Sequence, residues 1–341
     1  MKKDNQFDQK IFSSVEKTKG MFFIPEIYLT NRCNQNCLFC SVQANSPNNN
    51  LKESAWEEIK NDVADIKKFS SQIKFSGGEA TIRQDFFDII NLAKTLGFEK
   101  ITVESNGQSF SDWSFASQAI AAGANDFFIS FHGHTAALQD KITGIRGSFS
   151  RTKQGLENLI KLGRPPMINV VINRLNYRYL PQIVSLLARL GINMVTLSFI
   201  MMEGNAASQP ALVPEIKKVV SYLRLAIKQS PSVRIGLQHF PFCLLGDLNR
   251  YNFWFKVQHK KIIDNPNFRI IIEPKNERDS KDKKCLACRY EKICPGLRKS
   301  YADHYGFKEI HPLPGRQFKN IKDYLEYYFK KYHPEVNRRT N

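Results

Sequence analysis

The sequence predicts an α/β fold: a parallel sheet covered by helices, followed by a small C-terminal cysteine-rich domain. Three observations lead there. Between about residues 22 and 230, short apolar runs of strand length alternate six times with segments of helical periodicity, and strict alternation of this kind builds parallel sheets with right-handed crossovers. The residues that carry chemistry, Cys33–Cys40, Gly77–Glu79, Ser105–Gly107, Ser130–His134, Asn173 and Glu203–Gly204, each follow the C-terminal end of a predicted strand, the edge at which α/β sheets carry their sites. From about residue 231 the alternation stops and a second group of cysteines begins. The expected divisions are a polar lead-in over 1–20, a core over 21–230 and a second domain over 231–341.

The first strand covers roughly 22–30 and runs into a loop that holds Cys33, Cys37 and Cys40. Ser46-Pro-Asn-Asn-Asn50 reads as a turn-rich connector. Ser54-Ala-Trp-Glu57 matches a capping box, and Trp56, Ile59, Val63 and Ile66 recur behind it at helical spacing. The second strand, Gln72–Ser76, ends in Gly77-Gly78-Glu79; the helix after it carries Phe86, Phe87, Ile89, Ile90 and Ala93, and Gly97 closes it. Strand three is Ile101–Ser105, ahead of Asn106-Gly107 and a helix near 111–122. Strand four, Asp126–Ser130, leads to Phe131-His132-Gly133-His134 and a helix near 151–162. Strand five is Met167–Asn173, and the next helix has Pro181 in its first turn, where a missing N–H does no harm. Strand six is Asn193–Phe199; the helix opened by Pro214 then repeats Ile216, Val219, Val220 and Leu223.

Composition narrows the class. A chain of 341 residues buries ~75% of its unfolded surface and needs no disulfide staples. Seven cysteines, an odd number, argue against a closed disulfide framework and for a reducing, cytoplasmic compartment. Met1-Lys-Lys-Asp-Asn-Gln lacks the apolar core of a signal peptide, and no run of ~18 apolar residues exists, so no membrane span is expected. The net charge of +18 would suit an anionic partner such as RNA, but the lysines are scattered along the whole chain, the pattern of solvated faces.

Cys33, Cys37 and Cys40 are spaced C-x3-C-x2-C. Soft thiolates suit iron–sulfur clusters over hard cations, and three of them leave the fourth iron of a cubane free to take a small molecule. Structural zinc prefers four closed ligands. With the aromatic Phe39 just before the last cysteine, the stretch resembles the signature of radical S-adenosylmethionine (SAM) enzymes. The resemblance covers roughly residues 20–230 and implies a partial (β/α)6 TIM-like barrel. It implies a 4Fe–4S cluster on the three cysteines, with SAM chelated at the open iron through its amino and carboxylate groups. One electron from the cluster then splits SAM into methionine and a 5′-deoxyadenosyl radical, which abstracts hydrogen from the substrate. An external electron donor such as flavodoxin or ferredoxin belongs to such chemistry.

The same resemblance assigns the strand ends. Gly77-Gly78-Glu79 is similar to the family's Gly-Gly-Glu motif, whose carbonyls and carboxylate accept hydrogen bonds from the SAM ammonium. Phe39 would lie near the adenine. Ser105, Asn106 and Ser130 fall where the family contacts the ribose and the methionine carboxylate, and Asn173 is a similar candidate. Each has a plainer reading as an Asn-Gly turn or a strand-end side chain bonded to backbone. Arg83 reads as a helix cap or a carboxylate partner. His132 and His134 read as packed side chains ahead of proton shuttles.

In the second group, Cys285, Cys288 and Cys294 are spaced C-x2-C-x5-C, and the distant Cys243 brings the ligands to four. Four thiolates close a second cubane; they also suit zinc. The spacing resembles the SPASM and twitch extensions of radical SAM peptide maturases, but the further cysteines of a full SPASM domain are missing, so one auxiliary cluster is expected. Val233–Gln238 and Phe268–Glu273 are short strand candidates. Tyr301, Tyr305 and a helix near 319–331 with Tyr324, Leu325, Tyr328 and Phe329 are expected to pack on the barrel. The resemblance implies an enzyme that modifies a ribosomally made peptide or protein by crosslink, thioether or epimerisation. An enzyme acting on RNA or a nucleotide or cofactor precursor is the second reading. An iron–sulfur binding or sensor protein without SAM chemistry is the third.

Overall fold

Seven parallel strands form the main sheet, each hydrogen-bonded to the next in sequence: β1 (Glu26–Thr30), β2 (Gln72–Gly77), β3 (Lys100–Ser105), β4 (Asp126–Ser130), β5 (Met167–Ile172), β6 (Met194–Phe199) and β7 (Arg234–Gln238). The computed structural model describes residues 24–44, 46, 53–252 and 279–332. Strand order that never reverses is the winding of a barrel wall, whereas a doubly wound sheet reverses at a switch point. With β1 and β7 as its two edges, the wall is a partial barrel.

The six expected strand–helix units are present, with helices α1 (Trp56–Lys67), α2 (Phe86–Thr95), α3 (Trp113–Ala122), α4 (Ala136–Thr143), α5 (Ser148–Lys161), α6 (Leu180–Arg189) and α7 (Ile216–Gln229). Two features differ from expectation. The short helix α4 intervenes between β4 and α5. And Arg234–Gln238, assigned from the sequence to the second domain, pairs parallel with β6 and completes the first sheet. No long helical stripe follows β7 directly, so the alternation rule passes over it.

Alternation along each strand divides the sheet into two faces. Ile27, Leu29, Ile73, Phe75, Ile101 and Val103 point to the helices and share one core with Ile59, Val63, Ile66, Ile89 and Ile90. The opposite, concave face is polar. There Lys74 Nζ lies 3.1 Å from Glu26 Oε1 and 2.7 Å from Glu104 Oε2. Burial opposes the charge on Lys74, but the two carboxylates outweigh it and hold the ammonium protonated. A lumen lined this way can take a polar solute, unlike the packed apolar layers that fill a closed barrel.

The start of α1 corrects the sequence reading. Its N-cap is Ala55, not Ser54, and only half of a capping box forms: the Ala55 N–H donates to Glu58 Oε2 at 2.9 Å. Trp56 lies off the buried stripe and is 37% exposed. The strand candidate Phe268–Glu273, the lead-in and most of the Ser46–Asn50 connector lie outside the described residues.

After β7 come α8 (Phe242–Leu245), an antiparallel pair β8 (Asp279–Ser280) and β9 (Leu297–Arg298), α9 (Lys299–Tyr305) and α10 (Ile321–Tyr332). Helix α10 does not pack on the barrel core as expected. It buries Tyr324 and Leu325 in a separate small core with Phe242, Tyr290, Ile293 and Phe318, which takes in Cys288 and Cys294, while Cys243 and Cys285 pack against the barrel core. The joint to the barrel is made by α9. The Tyr301 hydroxyl bonds Glu309 and accepts the Ile216 N–H at 3.0 Å, and the Tyr305 hydroxyl donates to the Val213 carbonyl at 2.7 Å. Among the described residues no helix is long and apolar enough to cross a membrane.

Candidate functional site

The loop after β1 brings Cys33, Cys37 and Cys40 together, all half-buried and none in a disulfide. Three other segments hold that loop by its backbone. The Glu79 N–H donates to the Arg32 carbonyl at 2.9 Å. Asn36 and Leu38 donate to the carbonyls of Thr143 and Ile142 at the end of α4. Beyond β6, the Asn205 N–H donates to the Cys40 carbonyl at 2.9 Å, and Asn205 Nδ2 to the Cys37 carbonyl at 3.0 Å. A glycine lies at each contact. A Cβ on Gly78, Gly144 or Gly204 would fall 2.3, 2.6 and 2.2 Å from the carbonyl oxygens of Arg32, Asn36 and Cys40. The glycine pair after β2 therefore serves first to admit the cysteine loop's own backbone.

Glu79 is the polar hub beneath that loop, 1% exposed. Its Oε1 accepts from the Thr81 N–H at 3.2 Å, Thr81 Oγ1 at 2.6 Å and Ser105 Oγ at 2.7 Å; its Oε2 accepts from the Asn106 N–H at 2.7 Å. Burial pushes the carboxyl pKa up, and these four donors oppose the rise. The carboxylate thus ties the end of β3 to the end of β2. Asn106 continues the connection: Nδ2 donates to Asn34 Oδ1 at 2.6 Å and lies 3.9 Å from Cys33 Sγ. Of the predicted ligand-binding side chains, Ser105 is consumed by this network, while Ser130 sits half-buried at the end of β4. Arg83 is decided as well. It forks onto Asp85 with two 2.7 Å bonds and donates to the Leu29 carbonyl at 2.6 Å, bracing the end of β1.

Asn173 goes the plainer way. It is fully buried and folds a turn, Oδ1 accepting the Leu175 N–H at 2.9 Å and Nδ2 donating to the Val171 carbonyl at 3.2 Å. His132 is a packed side chain: Nδ1 accepts the Val171 N–H at 3.1 Å, which places the ring proton on Nε2. Burial pushes its pKa down to about 3, and its ring meets Phe39 edge to face at 4.7 Å. Phe39 is thereby fixed beside Cys40. His134 packs on Tyr179 at 5.0 Å.

The three thiols fit a bound cationic cluster. Burial, then the Glu79 carboxylate, pushes the Cys33 thiol up to about 12; burial, then Cys33 and Cys40, pushes Cys37 up as well. Ionising such a set requires positive charge placed among the sulfurs, which coordinated irons supply. Donors already face those sulfurs: the Gln35 N–H reaches Cys33 Sγ at 3.3 Å and the Ala44 N–H reaches Cys40 Sγ at 3.4 Å. Among the described residues no three His, Cys, Asp or Glu side chains are gathered as one metal ion requires. Around a single zinc, tetrahedral thiolates would sit about 3.8 Å apart.

The second group of cysteines lines a small cavity of about 20 Å³ that opens to solvent. Cys243 reaches it from α8, and Cys285, Cys288 and Cys294 from the segment between β8 and β9. Lys281 and Glu291 share its wall. Burial pushes Cys243 up to about 12 and Cys294 to about 11. Main-chain N–H groups oppose the rise, His311 at Cys243 and both Phe242 and Gly296 at Cys294.

Residues 27–187 match the family model of the radical SAM superfamily. The chain carries a radical SAM domain. In sequence it is 32% identical over 173 residues to a probable GTP 3′,8-cyclase of Saccharolobus solfataricus, covering half of this chain and 54% of that protein. The chain thus spans about half the length of the curated relatives it matches. In fold it is similar to SuiB of Streptococcus suis bound to S-adenosylmethionine, with a TM-score of 0.60 and 16% identity over 90% of this chain and 80% of that one. It is also similar to anSMEcpe bound to AdoMet and the Kp18Cys peptide, with a TM-score of 0.56 and 14% identity over 92% and 98% of the two chains.

Within the radical SAM domain the cysteine loop and Glu79 were legible in advance. Gln35, Thr81 and Gly144 were not, nor was Asn205 beyond it. Asn205 alone left a trace, directly after the glycine that ends the sixth strand unit.

Proposed function

We propose that this chain is a radical SAM enzyme acting on a ribosomally made peptide or protein, with a second 4Fe–4S cluster on Cys243, Cys285, Cys288 and Cys294. The observation that carries the reading is the cavity in which those four cysteines meet from distant parts of the chain. Cys33, Cys37 and Cys40 would hold the first cluster. Bound there with SAM, it supplies a 5′-deoxyadenosyl radical for hydrogen abstraction from the substrate.

This chain's residues do the rest by position. The Gly77–Glu79 edge offers carbonyls to the SAM ammonium, while Glu79 holds the β2 and β3 ends in register beneath it. Phe39, held against His132, would face the adenine. Ser130 and Asn106 would contribute further polar contacts to SAM. The polar lumen receives the reacting part of the substrate.

The peptide class is supported by the likeness to anSMEcpe, solved with a peptide, which extends over nearly the whole of both chains. A nucleotide or cofactor precursor is the second reading, favoured by the probable GTP 3′,8-cyclase as a sequence relative; that relation reaches only half of this chain. The test is 5′-deoxyadenosine formation by the anaerobically reconstituted enzyme, reduced by flavodoxin or ferredoxin. Host extract would be supplied as separate peptide, RNA and small-molecule fractions. Stimulation by the peptide fraction, lost after protease treatment, is expected. Stimulation by the small-molecule or RNA fraction instead would overturn the substrate class and leave the SAM chemistry standing.

A further inference from the structure

We infer that Lys281 and Glu291 set the reduction potential of a cluster held in the C-terminal cavity, the lysine raising it and the glutamate lowering it. This rests on the proposed second cluster. Four thiolates exceed the positive charge of a cubane core, so the loaded cavity would be a buried anion. Such an anion needs compensation from its walls.

Main-chain N–H groups supply part of it, from His311 to Cys243 and from Phe242 and Gly296 to Cys294. The one cationic side chain among the described residues lining the cavity is Lys281. It is anchored twice on Glu291, donating to its carbonyl and, at 3.2 Å, to its Oε1. Its side chain is only 20% exposed, so solvent screens it weakly.

Glu291 stands between Cys288 and Cys294 in the chain, and its carboxylate acts in the opposite sense. The anchor on the Glu291 main chain is what makes the pair adjustable. Neutralising Glu291 leaves Lys281 still bound to the backbone carbonyl, its positive charge no longer offset. A reduced cluster carries one more negative charge than an oxidised one, so a fixed cation favours reduction.

The test uses the full chain with Cys33, Cys37 and Cys40 all replaced by Ala, so that only the C-terminal site can hold a cluster. After anaerobic reconstitution with iron and sulfide, iron content is measured and the midpoint potential is followed by EPR. Lys281→Met should lower the midpoint and Glu291→Gln should raise it, both with iron retained. Lys281→Arg, which keeps the charge, should stay close to the parent. Equal midpoints in Met, Gln and parent proteins would overturn the inference. If Lys281→Met sheds its iron, the sign of the Glu291→Gln shift decides alone, an upward shift supporting the pair's role and no shift overturning it. A parent that retains no iron would instead overturn the second cluster itself, and the inference with it.

Discussion

The Asn36 N–H donates to the Thr143 carbonyl at 2.9 Å, joining the middle of the cysteine loop to the end of α4. The next residue, Gly144, has φ +70°, and a Cβ there would stand 2.6 Å from the Asn36 carbonyl. Gly144→Ala therefore meets both backbone strain and a steric block. It is expected to cost about 1–3 kcal/mol and to displace the loop at Asn36, between two of the cysteines. A lower denaturant midpoint should accompany loss of the SAM-induced change in the EPR spectrum of the reduced protein. A variant with wild-type midpoint and spectrum would show that the α4 contact does not position the loop.

Glu79 is expected to be the most sensitive polar side chain of the domain. Glu79→Gln keeps the size but removes the charge and turns an amide N–H₂ toward groups that are themselves donors. Hydrogen bonds to a charged acceptor are worth about 1.5–3 kcal/mol each, so the loss of a single one should be visible in thermal unfolding. SAM affinity, measured by calorimetry on the reconstituted protein, should fall at least tenfold. Undiminished affinity would mean that the β2–β3 tie has no part in binding SAM.

Much of this architecture is readable from local signals. The cysteine spacing lies within eight residues, and the Gly-Gly-Glu turn within three. Each strand announces itself by its own apolar run. What escapes is long-range. Glu79 finds Ser105 across 26 residues, and Asn205 finds Cys37 across 168. No periodicity encodes such pairs. Asn173 is ambiguous for a related reason, since a strand-end Asn that binds a ligand and one that folds a turn look the same until its neighbours are known. Strand β7 is readable as a strand but is assigned to the wrong side of the domain boundary, because no helical stripe follows it to continue the alternation. Lys281 is one lysine in a lysine-rich segment, distinguished only by the cavity it lines.

His132 predicts an acid-sensitive fold. Its pKa is about 3 in the folded protein and its ordinary value is 6.5, because burial disfavours the imidazolium. Between these values the unfolded chain binds a proton that the folded chain refuses, so stability rises with pH and is lost on acidification. The slope is about 1.4 kcal/mol per pH unit for one such group. His132→Asn, which can still accept the Val171 N–H, should remove that increment from the pH dependence of urea unfolding between pH 6.5 and 5. An unchanged slope would show that His132 titrates normally in the folded state.

The two cysteine groups are predicted to load independently. They occupy different places in the fold: Cys33, Cys37 and Cys40 in a loop clamped by Glu79, α4 and Asn205, the other four around a cavity between the barrel core, against which Cys243 and Cys285 pack, and the small aromatic core that takes Cys288 and Cys294. Replacing the first three by Ala leaves every contact of the second cavity in place. Such a variant should form no 5′-deoxyadenosine, because nothing remains to chelate SAM, yet should retain roughly four irons per chain, the content of one cubane. Replacing Cys285 and Cys288 by Ala should do the reverse for iron, sparing the SAM-responsive EPR signal while removing the other. Loss of all iron from the first variant would mean that the C-terminal cavity holds no cluster of its own. Loss of the SAM-responsive signal from the second would mean that the N-terminal loop depends on a filled C-terminal site. Either result would break the predicted independence.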